Sequence, residues 1–364
     1  MNPQGPIPVS VLTGFLGAGK TSLLNRLLKT PELRNTAVIV NEFGDVGIDH
    51  LLVEKSGEGI IELSDGCLCC TVRGQLADTL AGLVERLENG GISALDRVVI
   101  ETTGLADPIP VIQTIIAHPV LAQSLRLDGV VVVVDLINGE KTLDGHEEAV
   151  KQVAVADRMV LTKSDLVELA SASFERLSKR LARLNPGAPQ IVADPSGALP
   201  DGLLKCGSFD PSTKSVDVGR WLSVENAGER HSHHHDVNRH DARIRAFTLT
   251  EERAIDPGAL EMFIDLLRSS QGEKLLRMKG IVKLSDDPDR PAVIHGVQST
   301  FDPPRRLDAW PGEDRRCRLV VITRDLDEDY VRRLFLAFTG QPQVDTPDRQ
   351  AIEHSPLSIP GVKV

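Results

Sequence analysis

The sequence predicts an α/β protein: a doubly wound, largely parallel sheet followed by a smaller C-terminal α+β domain. Short β-branched runs alternate with helical patterns from residue 7 to about 195, the rhythm of βαβ units and a parallel sheet. A glycine-rich loop joins the first of those runs to the first helical pattern. The rhythm dissolves from Asp194 to about Asp241 and resumes at Arg243, so a linker separates two folded parts. A chain of 364 residues is long enough for two cores. The expected units are residues 1–200, a linker at 201–241, a second domain at 242–344 and a loose, proline-bearing tail at 345–364.

The elements follow in order. Residues 7–12 are apolar and β-branched, a buried strand, and residues 22–29 place Leu23, Leu24, Leu27 and Leu28 at helical spacing. Residues 36–41 read as a second strand. A helix follows with Leu76, Leu80, Leu83, Val84 and Leu87 on one face, closed by Gly90-Gly91. Arg97–Glu101 is the third strand, and Asp107-Pro108 opens another helix. Residues 130–134 (ending in Asp135), Arg158–Thr162 and Gln190–Val192 continue the sheet. Residues 174–184 form an amphipathic helix stopped by Asn185-Pro186-Gly187. In the second domain, 244–249, 281–284, 292–297 and 319–323 read as strands. Asp256-Pro257 caps a helix through Leu267, and Asp327 caps a last helix, Glu328–Phe338, that Gly340 stops.

Gly14-Phe15-Leu16-Gly17-Ala18-Gly19-Lys20-Thr21 satisfies G-x-x-x-x-G-K-[ST] at every fixed position, between a predicted strand and a predicted helix. Glycines there let backbone N–H groups converge on phosphate oxygens, and the helix N-terminus adds partial positive charge. Lys20 is placed for the β- and γ-phosphates and the Thr21 hydroxyl for Mg²⁺. Glu101-Thr102-Thr103-Gly104 supplies an acid at a strand end for Mg²⁺ or its water, with a glycine near the γ-phosphate; Glu stands where Asp is commoner. Thr162-Lys163-Ser164-Asp165 matches N/T-K-x-D at another strand end. Asp165 can accept both N–H donors of a guanine edge while the Lys163 stem covers the base; adenine cannot donate that pair.

Between these motifs lie Glu42-Phe43-Gly44-Asp45-Val46-Gly47-Ile48-Asp49, a candidate switch segment, and Gly66-Cys67-Leu68-Cys69-Cys70. Three thiols so close suit a soft ion such as Zn²⁺ or Cu(I), and a fourth ligand must come from Glu42, water or a partner. A redox pair or buried small hydrophobes are the alternatives. His231-Ser232-His233-His234-His235, with His240 beyond, lies in the linker, where solvated spacer and metal collector both stay open. Cys206 and Cys317 read as structural or incidental thiols.

A formal charge of −11, no basic run, and one Tyr and two Trp argue against nucleic-acid or anionic-membrane binding. The longest strongly apolar run, 130–134, is too short for a bilayer, and the first residues lack a signal-peptide pattern. Five cysteines, three of them clustered, point to a reducing, cytoplasmic compartment.

Together G-F-L-G-A-G-K-T, V-N-E-F-G-D-V-G-I-D, G-C-L-C-C, E-T-T-G-L-A-D-P and T-K-S-D resemble the CobW-type GTPases, a branch of the phosphate-loop GTPases that serve metal and cofactor assembly. V-I-H-G-V-Q-S-T-F-D-P-P-R-R-L-D-A-W is similar to that family's second domain. The resemblance implies GTP hydrolysis to GDP with Mg²⁺, Zn²⁺ (or Co²⁺) bound at the cysteine cluster, and delivery of that metal to a client metalloprotein. By the same resemblance Gly14, Gly17, Ala18, Gly19, Lys20, Thr21 and Ser22 hold the nucleotide with Thr162, Lys163 and Asp165, while Glu42, Cys67, Cys69 and Cys70 hold the metal. Glu101 matches the family's acid in this strand. Lys20, Glu42 and Glu101 form the catalytic set, with Glu42 and Asp45 both candidates for positioning water. Ser22 stands where a second Thr is usual, and Thr162 where Asn is common. Monomer and metal-dependent dimer are both open. The rival readings are a metal-buffering or sensor protein and a phosphate-loop kinase or ATPase acting on a small molecule.

Overall fold

The structure is a computed structural model that describes residues 5–40, 60–62, 72–200, 202–206 and 243–340. Its first half is built on a seven-stranded, all-parallel sheet in the order β3-β2-β4-β1-β5-β6-β7. The strands are β1 (Ile7–Gly14), β2 (Thr36–Val40), β3 (Ile60–Glu62), β4 (Arg97–Glu101), β5 (Leu125–Asp135), β6 (Arg158–Thr162) and β7 (Gln190–Val192). Successive strand residues face opposite ways, and here both sides are apolar. Val130, Val132 and Val134 enter one core with Val98, Ile100, Met159 and Leu161. Val131 and Val133 enter another with Leu12, Val38, Val99 and Val160. Leu23, Leu24 and Leu27 of α1 (Lys20–Leu27) cover the second core. α2 (Val72–Glu88), α3 (Ile109–Ala117), α6 (Glu147–Ala154) and α7 (Ala172–Leu184) cover the first. The sheet is therefore wound on both faces, as expected.

β3 and three short helices were not legible in the sequence: α4 (Leu121–Ser124), α5 (Gly139–Gly145) and α6. β5 also runs several residues earlier than its valine run, through Asp128 and Gly129. Asp128 is buried there because the Arg97 guanidinium pairs with it.

The second domain carries a sheet with the order β11-β10-β9-β13-β8, and β12 pairs with β10. These are β8 (Ile244–Glu251), β9 (Leu275–Leu284), β10 (Asp287–Val297), β11 (Thr300–Phe301), β12 (Arg305–Arg306) and β13 (Cys317–Arg324). The pairings between these strands are antiparallel. Leu319 and Val321 of β13 pack under α8 (Pro257–Gln271) and α9 (Glu328–Phe338) with Phe263 and Phe335. The alternate residue Ile322, with Ile244, Leu276 and Val297, joins the core of the first domain. One face of the small sheet thus carries its own helices and the other docks on the parallel sheet's helical layer. The predicted caps are formed: Asp256 accepts from Ala259 N and Asp327 from Asp329 N.

Polar contacts mark that docking. Asp157, buried just before β6, accepts from Arg277 Nη2 at 2.5 Å and Lys279 Nζ at 2.9 Å, while its other oxygen accepts from Val130 N. Arg277 also faces His295 Nε2 at 3.0 Å, and His295 Nδ1 faces Asp302 at 3.2 Å. No helix among the described residues is long and apolar enough to cross a membrane.

Candidate functional site

β1 ends at Gly14 and α1 begins at Lys20, so the glycine motif occupies the turn between them. Gly14 has φ +141°, and a Cβ there would lie 2.3 Å from the Val133 carbonyl oxygen; only glycine fits. Gly17 and Gly19 have φ +71° and +92°, and Gly19 is the N-cap of α1. Lys20 is buried, and its Nζ donates to the Phe15 carbonyl at 3.2 Å, which lays the ammonium over its own loop. That is where phosphate charge would need it.

The second motif meets the first directly. Glu101 stands opposite Leu12 in the β1–β4 register, and its Oε1 accepts from the Thr21 hydroxyl at 2.8 Å. A buried carboxylate and a hydroxyl side by side are hard oxygen donors, and that donor set fits Mg²⁺. Thr102 donates through its N–H to Leu12 O and through its hydroxyl to Thr13 Oγ1. A Cβ on Gly104 would lie 2.4 Å from Leu16 N, so the backbone of this loop rests on that of the glycine loop.

The third motif is tied in from the other side. Thr162 Oγ1 donates to the Ala18 carbonyl oxygen at 2.7 Å, joining the end of β6 to the glycine loop. Lys163 is left-handed (φ +59°, ψ +36°), unusual for a residue with a side chain. Its Nζ is held by Asp135 Oδ2 at 2.7 Å. Burial pushes the Asp135 carboxyl up, but hydrogen bonds from Lys163, Asn138 and the backbone of Ile137 outweigh it and hold the pKa below the ordinary value. Ser164 Oγ fixes the turn to Ala193 O, leaving Asp165 exposed. A pocket of about 210 Å³ lies among Phe15, Leu16, Asp135, Asn138, Gln152 and Lys163.

Gly14, Gly17, Ala18, Gly19, Lys20, Thr21, Glu101, Thr162, Lys163 and Asp165 thus meet at one edge of the sheet, where the parallel strands β1, β4 and β6 all end. Ser22 is exposed on the first turn of α1. Glu42, Asp45, Cys67, Cys69, Cys70 and the linker histidines lie outside the described residues, and among those described no cluster of three His, Cys, Asp or Glu side chains could hold a metal. Cys206 and Cys317 are buried, and burial pushes both thiols up, Cys317 to about 11, which suits structural rather than ligand roles. Two residues of this edge carried no motif. Asp135 could have been found as an acid ending a buried apolar run. Gln152, whose amide donates to Gly104 O and Ala106 O, could not.

Residues 8–192 match the CobW/HypB/UreG nucleotide-binding domain, and residues 244–339 match the cobalamin synthesis protein cobW C-terminal domain. The chain is 34% identical over 336 residues to the zinc chaperone YjiA of Escherichia coli, covering 91% of this chain and 98% of that protein. It is 26% identical over 367 residues to the zinc-regulated GTPase metalloprotein activator 1 of Saccharomyces cerevisiae, covering 90% and 82%. The crystal structure of Zn(II)-bound YjiA GTPase from E. coli superposes with a TM-score of 0.67 at 31% identity, covering 93% of this chain and 99% of that one.

Proposed function

Since this chain belongs to the CobW family of nucleotide-binding proteins, we propose that it is a GTP-hydrolysing metallochaperone. It binds Zn²⁺ as cargo and passes it to a client metalloprotein under nucleotide control. The observation that carries the hydrolytic half is the Thr21–Glu101 pair, set at 2.8 Å beside a glycine loop whose backbone only glycine can adopt. Relatives named as zinc chaperones and as a zinc-regulated GTPase metalloprotein activator support the other half.

In this reading the loop N–H groups and Lys20 hold the phosphates, and Thr21 with Glu101 holds Mg²⁺, which neutralises charge on the β- and γ-oxygens when bound. Lys163, locked by Asp135, covers the guanine, and Asp165 accepts its edge. Zn²⁺ is held by Cys67, Cys69, Cys70 and Glu42, with Co²⁺ the other candidate cargo. The cysteines precede α2 closely in sequence, and a helix N-terminus favours thiolate. They also fall between Glu42 and Glu101 in the chain, so both nucleotide-sensing segments flank them. Leu203, Leu204 and Cys206 are buried in the first domain's core, and Ser10 Oγ donates to Leu204 O, so in this reading the linker to the second domain begins after Cys206 rather than at residue 201.

The test is linkage. Metal content and GTP affinity are measured on purified protein in its GTP- and GDP-bound forms, with and without Zn²⁺. Coupled sites must alter each other's affinity by the same factor. Equal Zn²⁺ affinity in both nucleotide forms would remove nucleotide control. Lys20→Ala should still bind metal yet fail to transfer it; transfer at the normal rate would favour a buffering role instead.

A further inference from the structure

α6 is only eight residues long, yet it is gripped along its length and at both ends by other parts of the molecule. Its middle holds the Glu101-Thr102-Thr103-Gly104 loop. Gln152 is fully buried, and its amide donates to Gly104 O at 3.2 Å and Ala106 O at 3.0 Å. On the residue before it, Lys151 Nζ lies 3.8 Å from Asp107, whose carboxylate caps Ile109 N at the start of α3. Its C-terminal end is held by the second domain: Arg277 Nη1 donates to Val155 O at 2.5 Å, and Nη2 pairs with Asp157 at 2.5 Å. A cation at a helix C-terminus is favoured by the helix dipole as well as by the orphan carbonyls. Asn185 Nδ2 occupies the neighbouring carbonyls of Val153, Ala154 and Ala156. At its N-terminal end, Glu147 pairs with Arg324 and approaches Arg243, both in the second domain, and the preceding His146 ring lies 4.3 Å from the Phe15 ring of the glycine loop.

We infer that α6 is the strut through which the second domain sets the position of the 102–106 loop, with Gln152 as the positioning residue. Two carbonyls of that loop hang on one buried amide, and the helix bearing the amide is fixed at both ends by the other domain. A buried donor lost to its acceptors leaves them desolvated and unpaired, so the loop follows the helix rather than parting from it. Because Gly104 rests on Leu16, a shift of the loop is felt at the glycine motif. Anything that moves the second domain, such as a bound protein partner, thereby reaches the nucleotide edge. The hydrolytic consequence rests on the GTPase reading above; the mechanical link does not.

The experiment uses the full-length chain and has two arms. Amide hydrogen exchange over residues 103–106 is measured without nucleotide, and GTP turnover is measured separately. Gln152→Leu should raise exchange there about tenfold and lower kcat about tenfold, equivalent to about 1.4 kcal/mol, with KM changed less than about twofold. Arg277→Gln and Glu147→Gln touch no atom of that loop, yet each should raise exchange over 103–106 at least about threefold. Glu147 is partly exposed, so its variant reports even where Arg277→Gln fails to fold. Wild-type exchange at 103–106 in a folded interdomain variant would overturn the strut. A wild-type chain that does not turn over GTP would overturn the GTPase reading and leave the exchange arm to decide the strut by itself.

Discussion

The Thr21 hydroxyl donates to Glu101 Oε1 at 2.8 Å, which brings the end of the glycine motif against the end of β4. This contact turns two motifs separated by 80 residues into one oxygen site. Glu101→Gln keeps the shape and removes the charge, so its GTP affinity should lose most of its Mg²⁺ dependence. Titrations with Mg²⁺ and with chelator check this. In the wild type the two should differ about tenfold or more, and in Glu101→Gln they should nearly coincide.

Thr162 and Asp165 make separable contributions. Thr162 binds the glycine loop through Ala18 O, whereas Asp165 is exposed on the turn beyond it. Thr162→Val should weaken GTP and ATP alike by about fivefold, the equivalent of one net hydrogen bond of about 1 kcal/mol. Asp165→Asn should weaken GTP while leaving ATP unchanged, because only guanine donates to that carboxylate. Competition binding with both nucleotides separates the two patterns.

The phosphate loop, the acid at the end of β4 and the T-K-S-D turn were legible because each is a short run of residues whose chemistry is fixed by spacing. The strands on either side were legible because a parallel sheet buried on both faces needs unbroken apolar runs. α5 and α6 were not. Residues 139–154 carry Gly139, Gly145 and His146, poor helix formers that interrupt any long period, and short helices owe their stability to tertiary packing. Gln152 was invisible for the same reason: its importance comes from two carbonyls nearly fifty residues away. The interdomain cluster was equally silent. Asp157, Arg277 and Lys279 belong to no motif, His295 lies in the V-I-H-G stretch without that stretch naming its partners, and only the docking of the two sheets brings the four together.

Gly104 tests how closely the two loops must approach. A methyl group there would meet Leu16 N at 2.4 Å and Leu16 Cα at 2.6 Å, both backbone atoms that cannot rotate away. Gly104→Ala should therefore displace the glycine loop and weaken nucleotide binding by more than about tenfold, while Gly74→Ala, in open space on α2, should leave it unchanged. Calorimetric titration with GDP distinguishes these outcomes, with circular dichroism confirming that both variants are folded.

The interdomain cluster makes stability sensitive to acid in two separate windows. Burial raises the Asp157 carboxyl, but Arg277 and Lys279 overcome this and hold its pKa far below the ordinary 3.8. Its contribution is complete above the unfolded value and disappears as pH falls below it. Burial against Arg277 lowers the His295 pKa below 6.5, although Asp302 and Asp157 oppose that shift. The unfolded chain then takes up a proton near pH 6.5 that the folded chain refuses, so stability drops on acidification from there, by at most about 1.4 kcal/mol per pH unit. Thermal melts between pH 7.5 and 5 should show a falling midpoint, with a shallower fall in His295→Asn. Asp157→Asn should cost about 3–5 kcal/mol at neutral pH, because it strands Arg277 and Lys279 without their carboxylate. An Asp157→Asn midpoint equal to wild type, or a His295→Asn slope unchanged between pH 7 and 5, would mean that the charges between the two sheets are not what holds them together.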